Sequence, residues 1–181
     1  GLFTTSPLAE HIDLVNSEGR AWLRSHDDKY DVIQMSGVDS YTALSGGAYT
    51  LSESYLYTIE AVQDFYEHLN PDGIICYSRF MQRSPKAARE TLRLANIACE
   101  GLRAAGVVEP EKHICVMRGG IDWASTMIKQ SPFTAEEIAA LREFGRKEGF
   151  VGLMYDPLLP RDAEIVPEPS VSHLASLSWK S

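Results

Sequence analysis

Short apolar runs of strand length alternate along this chain with longer stretches whose apolar residues recur every three or four positions. Strand, helix, strand alternation requires crossover connections, so the expected fold is an α/β domain with a mostly parallel sheet and flanking helices. The stretch "HIDLV" (His11–Val15) reads as a first strand, and "RAWLRS" as one or two helical turns after the turn-like "NSEG". "YDVIQMS" (Tyr30–Ser36) is too short for a helix and rich in strand formers, which suits a buried parallel strand.

The helices are punctuated by recognisable ends. Thr50–Leu51–Ser52–Glu53 has the form of a capping box. It predicts a helix whose Leu56, Ile59, Val62, Phe65, Tyr66 and Leu69 form one buried stripe, ended by "NPDG" (Asn70–Gly73) before the strand "GIICYSRF". Ser84, Pro85 and Gly106 bracket a longer helix with Leu92, Ala95, Cys99 and Leu102 on its inner face. "HICVMRG" (His113–Gly119) is a further strand with "ASTMIKQ" (Ala124–Gln130) as its hairpin partner. A second capping box at Thr134–Glu137 opens a helix that Gly149 closes before the strand-like "FVGLMY". Residues 1–156 are expected to form the domain. Pro157, Pro160, Pro167 and Pro169 mark 157–181 as an extended Pro/Ser-rich arm.

Charge narrows the partners. A net charge of −8, with 17 basic and 25 acidic residues, argues against a nucleic-acid footprint or an anionic membrane surface and favours small neutral or cationic partners. No apolar run reaches the length of a membrane span, so a soluble, cytoplasmic domain is expected. Cys76, Cys99 and Cys115 lie in apolar runs without C-x-x-C spacing and read as core thiols in a reducing compartment. The five histidines, at 11, 26, 68, 113 and 173, lack metal-site spacing, so no metal is expected and each reads as a surface or structural residue. Arg142, Arg146 and Lys147 read as a solvated helix face near a C-terminus.

In open parallel sheets ligands bind beyond the carboxyl ends of the strands, which singles out two segments: Glu18–Gly19 after "HIDLV", and Ser36, Asp39 and Tyr41 after "YDVIQM". A carboxylate such as Glu18 accepts a hydrogen bond from an adenine amino group or a ribose hydroxyl, and the glycine beside it lets the ring approach. It serves equally as a solvated loop acid. Asp39 can hold an amine or take its proton before attack, or simply cap a turn. Tyr41, with Tyr49, Tyr55 and Tyr57, offers aromatic faces to a cationic substrate or merely flanks a helix start.

The run "DLVNSEGRAWLRSHDDKYDVIQMSGVDS" followed by "YTIEAVQDFYEHLNPDGIICYSR" resembles the spermidine synthase-like group of class I S-adenosylmethionine-dependent transferases, and the bacterial spermidine synthase-like proteins in particular. "SGGAY", "SESYLYTIEA" and "SPFTAEEI" are also similar to segments of that group. The resemblance implies a Rossmann-like, methyltransferase-type sheet with flanking helices. It implies S-adenosylmethionine or its decarboxylated form as cofactor and a small amine or other acceptor as substrate. Glu18 and Gly19 fall on the adenine-side acid and its neighbour. Ser36 falls where the group's active loop D-S-x-D-P has its first Asp, Asp39 on the second, and Tyr41 on the acceptor side.

Ser36 is a departure, since a neutral serine needs another base to activate it. The group's first strands and glycine-rich loop have no counterpart upstream of "HIDLV", and the pairs Gly46–Gly47 and Gly119–Gly120 do not supply one. The resemblance therefore implies the C-terminal part of a transferase domain, lacking the first strands and not catalytically complete alone. The alternative is a non-catalytic binding or oligomerisation module on the same scaffold. Missing strands would leave an open sheet edge, which favours a homo-oligomer.

Overall fold

The computed structural model describes residues 11–36, 55–80, 87–119 and 123–159. Their order is α1 (Gly19–Arg24), β1 (Tyr30–Ser36), α2 (Ile59–Glu67), β2 (Leu69–Phe80), α3 (Ala87–Ala104), a 3-10 turn at Pro110–His113, β3 (Ile114–Gly119), β4 (Trp123–Lys129), α4 (Ala135–Glu148) and β5 (Gly152–Tyr155). The strands form one sheet in the order β1-β2-β4-β3-β5.

The α/β class with flanking helices is the one expected, but the mostly parallel sheet is not. β1 and β2 are parallel, whereas β2–β4, β3–β4 and β3–β5 are all antiparallel. The cause is the β3–β4 hairpin: its short connection turns the chain straight back, so β4 inserts beside β2 against the direction a crossover helix would impose.

Two cross-strand rows build the core. Ile33, Ile75, Ile128 and Ile114 lie side by side, and so do Met35, Tyr77, Thr126 and Val116. They face α2 and α3, whose Ala61, Val62, Phe65, Leu94, Ala98 and Leu102 are buried in the same cluster. α4 covers only part of the opposite face, where Cys115, Phe133 and Ile138 pack with Met127, Leu141 and Leu153. Burial along the row Gln34, Cys76, Met127, Cys115 accordingly rises from exposed at β1 to buried at β3.

Several sequence expectations are corrected. His11–Val15 is not a strand, and Ile12, Leu14 and Val15 are exposed. β-branched residues form a strand only beside a partner ladder, and β1 pairs with β2 alone among the described strands. The Thr50–Glu53 capping box and Ser84–Pro85 lie outside the described residues. The described α2 starts at Ile59, with the Thr58 side chain accepting from the Ala61 N–H, and Leu69 of the expected helical stripe belongs to β2. On α3 the inward residues are Leu94, Ala98 and Leu102, whereas Leu92 is 62% exposed. Leu92, Ala95, Cys99 and Leu102 fit a 3.6-residue period as well, so spacing alone does not fix which stripe turns inward. Of the expected arm only 157–159 is described.

"NPDG" does not separate helix from strand cleanly. Tyr30 pairs with Leu69 and Val32 with Ile74, so Asn70–Gly73 bulges out opposite the single residue Asp31. Asn70 Nδ2 donates to Asp31 Oδ1 at 2.8 Å across the bulge. Gly73 is required there, because a Cβ would stand 2.7 Å from the Tyr30 carbonyl oxygen. The Thr134–Glu137 capping box forms as expected, and Gly149 closes α4 at φ 73°.

The bulge also delivers Asp72 to a buried cation. The Lys129 side chain is 4% exposed, and its Nζ lies 2.7 Å from Glu137 Oε1, 2.8 Å from Ser131 Oγ and 3.2 Å from Asp72 Oδ1. Three ammonium donors therefore have three acceptors, and β4, the bulge and the start of α4 are tied together. Burial alone would lower the Lys129 pKa, but the bonds to Glu137 and Asp72 leave it raised. Burial likewise pushes Glu137 up, and its bonds to Lys129 and Thr134 outweigh this and hold it low. Asp72 is lowered by Ser131 and then Lys129.

The pH dependence follows from those directions. The two carboxylates contribute above their ordinary values of 4.5 and 3.8, and that contribution is lost as pH falls through their depressed folded-state values. Lys129 contributes fully below 10.5 and loses its share only as pH rises through its raised folded-state value. Thermal melts across the pH range should therefore show Lys129→Met flattening both limbs. Limbs unchanged from wild type would disprove the coupling.

Candidate functional site

Glu18 is the N-cap of α1. Its Oε1 accepts from the Arg20 N–H at 3.0 Å and its Oε2 from the Ala21 N–H at 2.7 Å. Glutamate is not among the preferred N-cap residues, and here its longer side chain folds back over the first turn. The Tyr55 phenol is close enough to the same carboxylate to favour its charged form. Burial pushes Glu18 up, but Tyr55, the Ala21 and Arg20 amides and the Arg20 charge together hold it below the ordinary carboxylate range. Burial and the neighbouring Glu18 carboxylate push the Tyr55 phenol up to about 12, so it stays protonated at neutral pH.

Arg20 anchors this corner. Its Nε donates to Asp64 Oδ2 of α2 at 2.7 Å, another guanidinium nitrogen donates to the Tyr55 carbonyl at 2.7 Å, and the guanidinium lies 5.5 Å from the Tyr55 ring centroid. Arg24 adds a longer contact of 3.8 Å to the same Asp64 oxygen. α1 is thereby pinned to α2, and Glu18 is held at its mouth. Sequence reasoning missed Arg20 and Asp64 and read Tyr55 only as an aromatic face or helix flank, because the partners stand 35 and 44 residues from Arg20.

A carboxylate offers about four lone-pair positions. With the Arg20 and Ala21 amides in place, Glu18 keeps acceptor capacity for a further donor, such as the exocyclic amine of adenine or a ribose hydroxyl. Gly19 opens α1, and a Cβ built there meets nothing within 4 Å, so the space beside Glu18 is open.

Ser36 is the last residue of β1, exposed, and lies opposite Ser78, which in turn lies opposite Ser125. Ser78 Oγ and Ser125 Oγ are 2.8 Å apart, so the buried Ser78 hydroxyl is engaged across the sheet, with Cys76 Sγ 3.6 Å from it. Glu18 and Ser36 stand on different elements with no hydrogen bond between them. Asp39 and Tyr41 lie outside the described residues, as does Tyr49.

Tyr57 lies under the Arg79 guanidinium at 4.3 Å and 5.7 Å from the Tyr77 ring, so it lines the inner face at the end of β2.

No protein-family model matches the chain. No curated protein matches it either. Among solved structures it is similar to the spermidine synthase of Thermotoga maritima, at 16% identity and a TM-score of 0.43, over 93% of this chain and 47% of that one. It is also similar to a spermidine synthase in complex with the transition-state analogue AdoDATO, at 17% identity and a TM-score of 0.42, over 93% of this chain and 48% of that one. The chain spans about half the length of these structures.

Several other titratable groups have structural partners. His113 is buried with Nδ1 3.0 Å from the Lys129 carbonyl. His68 bridges the Asp64 and His26 carbonyls, and His26 stacks on Trp22 at 4.4 Å. Among the described residues no group of three His, Cys, Asp or Glu is arranged to hold a metal ion. Cys115 is buried, and burial first and the Asp156 charge second push its thiol up to about 12; Cys76 and Cys99 are half-buried. Arg142 is not a plain solvated residue. It is exposed but pairs with Asp156, whose side chain is 3% exposed, while Arg146, paired with Glu143, and Lys147 are exposed in the last turn of α4 as expected. Among the described residues no helix is long and apolar enough to cross a membrane.

Proposed function

We propose that this chain is part of a spermidine synthase-like transferase domain, with Glu18 and Gly19 at its adenosyl end and Asp39, Ser36 and Tyr41 at its acceptor end. The observation that carries the reading is the Glu18 carboxylate, held by two backbone amides of α1 beside open space with acceptor capacity to spare. An adenine amine takes up that capacity. S-adenosylmethionine or its decarboxylated form supplies an electrophilic carbon bonded to a sulfonium. The chain's own part is to orient the adenosyl end at Glu18 and to hold a small amine near Asp39.

A second reading, a non-catalytic binding or oligomerisation module on the same scaffold, is favoured by Ser36. It stands where the resemblance calls for a carboxylate, and a serine without a base is a poor proton acceptor at neutral pH. Calorimetric titration with S-adenosylmethionine, decarboxylated S-adenosylmethionine and methylthioadenosine separates the two. Binding tighter than about 100 μM, or about 5.5 kcal/mol, is expected from a retained site. No heat with any of the three would leave the non-catalytic reading.

A further inference from the structure

Tyr55 and Tyr57 stand just before α2, and each has an arginine against its ring, Arg20 at 5.5 Å and Arg79 at 4.3 Å. The first pair belongs to the Glu18 corner and the second to the end of the sheet. β1 is parallel to β2, and β2 and β3 are both antiparallel to β4, so β1, β2 and β3 run the same way. Their carboxyl ends share one edge, and ligands bind beyond such an edge.

Arg79 and Arg118 are the residues before last in β2 and β3, at that edge. They lie in one cross-strand row, Arg79 opposite Ala124 and Ala124 opposite Arg118. Strand alternation puts both on the same face as Tyr77 and Val116, the face turned to α2 and α3. Two strand spacings, about 10 Å, separate their backbones, so two long side chains can close on a small anion from either side. The buried Ala124 places only a methyl group between them. Both arginines are half-buried, which strengthens a charge-assisted hydrogen bond relative to one in open water. A guanidinium carries five N–H donors, so Arg79 can keep its contact with Tyr57 and still receive a carboxylate.

We propose that the acceptor bears a carboxylate as well as an amine, and that Arg79 and Arg118 receive the carboxylate; this rests on the transferase reading above. A purely cationic acceptor would bring a second ammonium up to two guanidinium groups. One that carries both charges places its anionic end on the arginines and leaves its amine for transfer.

Calorimetric titration of the whole chain with 4-aminobutanoate and with 1,4-diaminobutane tests this, with and without methylthioadenosine. The two probes share a carbon chain length and one amine, and differ in a carboxylate against a second ammonium. The expected result is that 4-aminobutanoate binds about tenfold tighter or more, and that Arg79→Gln and Arg118→Gln each lose about tenfold of that affinity. Arg79→Lys and Arg118→Lys keep the charge without the fork and should lose less, which separates anion binding from a loss of fold. Preference for the diamine, no heat with either probe, or affinity for 4-aminobutanoate that both glutamine variants retain would overturn the proposal. The titrations without methylthioadenosine keep the two readings apart: if that nucleoside fails to bind, the adenosyl end fails, while carboxylate preference lost in the glutamine variants still upholds the arginine pair.

Discussion

Tyr77→Ala destabilises the domain by about 3–5 kcal/mol, the range for removing a large aromatic ring from a core. The ring is 0% exposed and sits in the Met35–Tyr77–Thr126–Val116 row, with Phe65 of α2 6.4 Å away and Tyr57 5.7 Å away. Little can collapse into the gap, because strands on both sides are fixed by the ladder and α2 is pinned through Asp64. Tyr77→Phe is the control. The hydroxyl reaches the Leu56 carbonyl only at 3.4 Å, so its loss costs no more than about 1 kcal/mol. Urea unfolding at constant m-value reads both, and equal costs for the two variants would contradict this account of the core.

The second large effect is at Gly101, on the face of α3 turned to α2. Alanine in a helix interior usually gains about 1 kcal/mol over glycine. Here a Cβ would stand 2.6 Å from Val62 Cγ1, 2.7 Å from Val62 Cβ and 3.2 Å from the Ile59 carbonyl oxygen. Overpacking costs about 1–3 kcal/mol, so alanine already loses, and Gly101→Val, with two further methyl groups, is expected to cost about 3 kcal/mol. The strain lies against one side chain, so Val62→Ala should return part of the loss, with a coupling of about 1 kcal/mol or more in a double-mutant cycle. Additive losses would show that the two helices do not meet at these residues.

What was legible in the sequence was local. Tyr30–Ser36, the β3–β4 hairpin, the Thr134–Glu137 box and the glycine ends of α3 and α4 depend on neighbours within a few residues, and each is where the sequence places it. "HIDLV" failed because a strand is a property of a pair: the residues suit a ladder, and no described strand lies beside them. The inner stripe of α3 was off because Leu92 and Leu94 fit helical spacing equally, and only packing against the sheet and α2 decides between them. Glu18 was legible as a loop carboxylate but not as the N-cap of α1, and Tyr55, Arg20 and Asp64, which surround it, come from turns and helices remote in the chain. The Lys129 cluster was invisible for the same reason, joining residues 57 apart through a bulge that sequence reads as a stop.

The adenosyl end of the proposed site rests on one carboxylate, so the most direct measurement is the affinity of methylthioadenosine for the wild type and for Glu18→Ser. Serine keeps an N-cap for α1 and removes the carboxylate, separating ligand binding from helix capping. The account predicts a wild-type Kd below about 100 μM and at least a tenfold loss, about 1.4 kcal/mol, in Glu18→Ser with the fold intact. Equal affinity in the two proteins would contradict it.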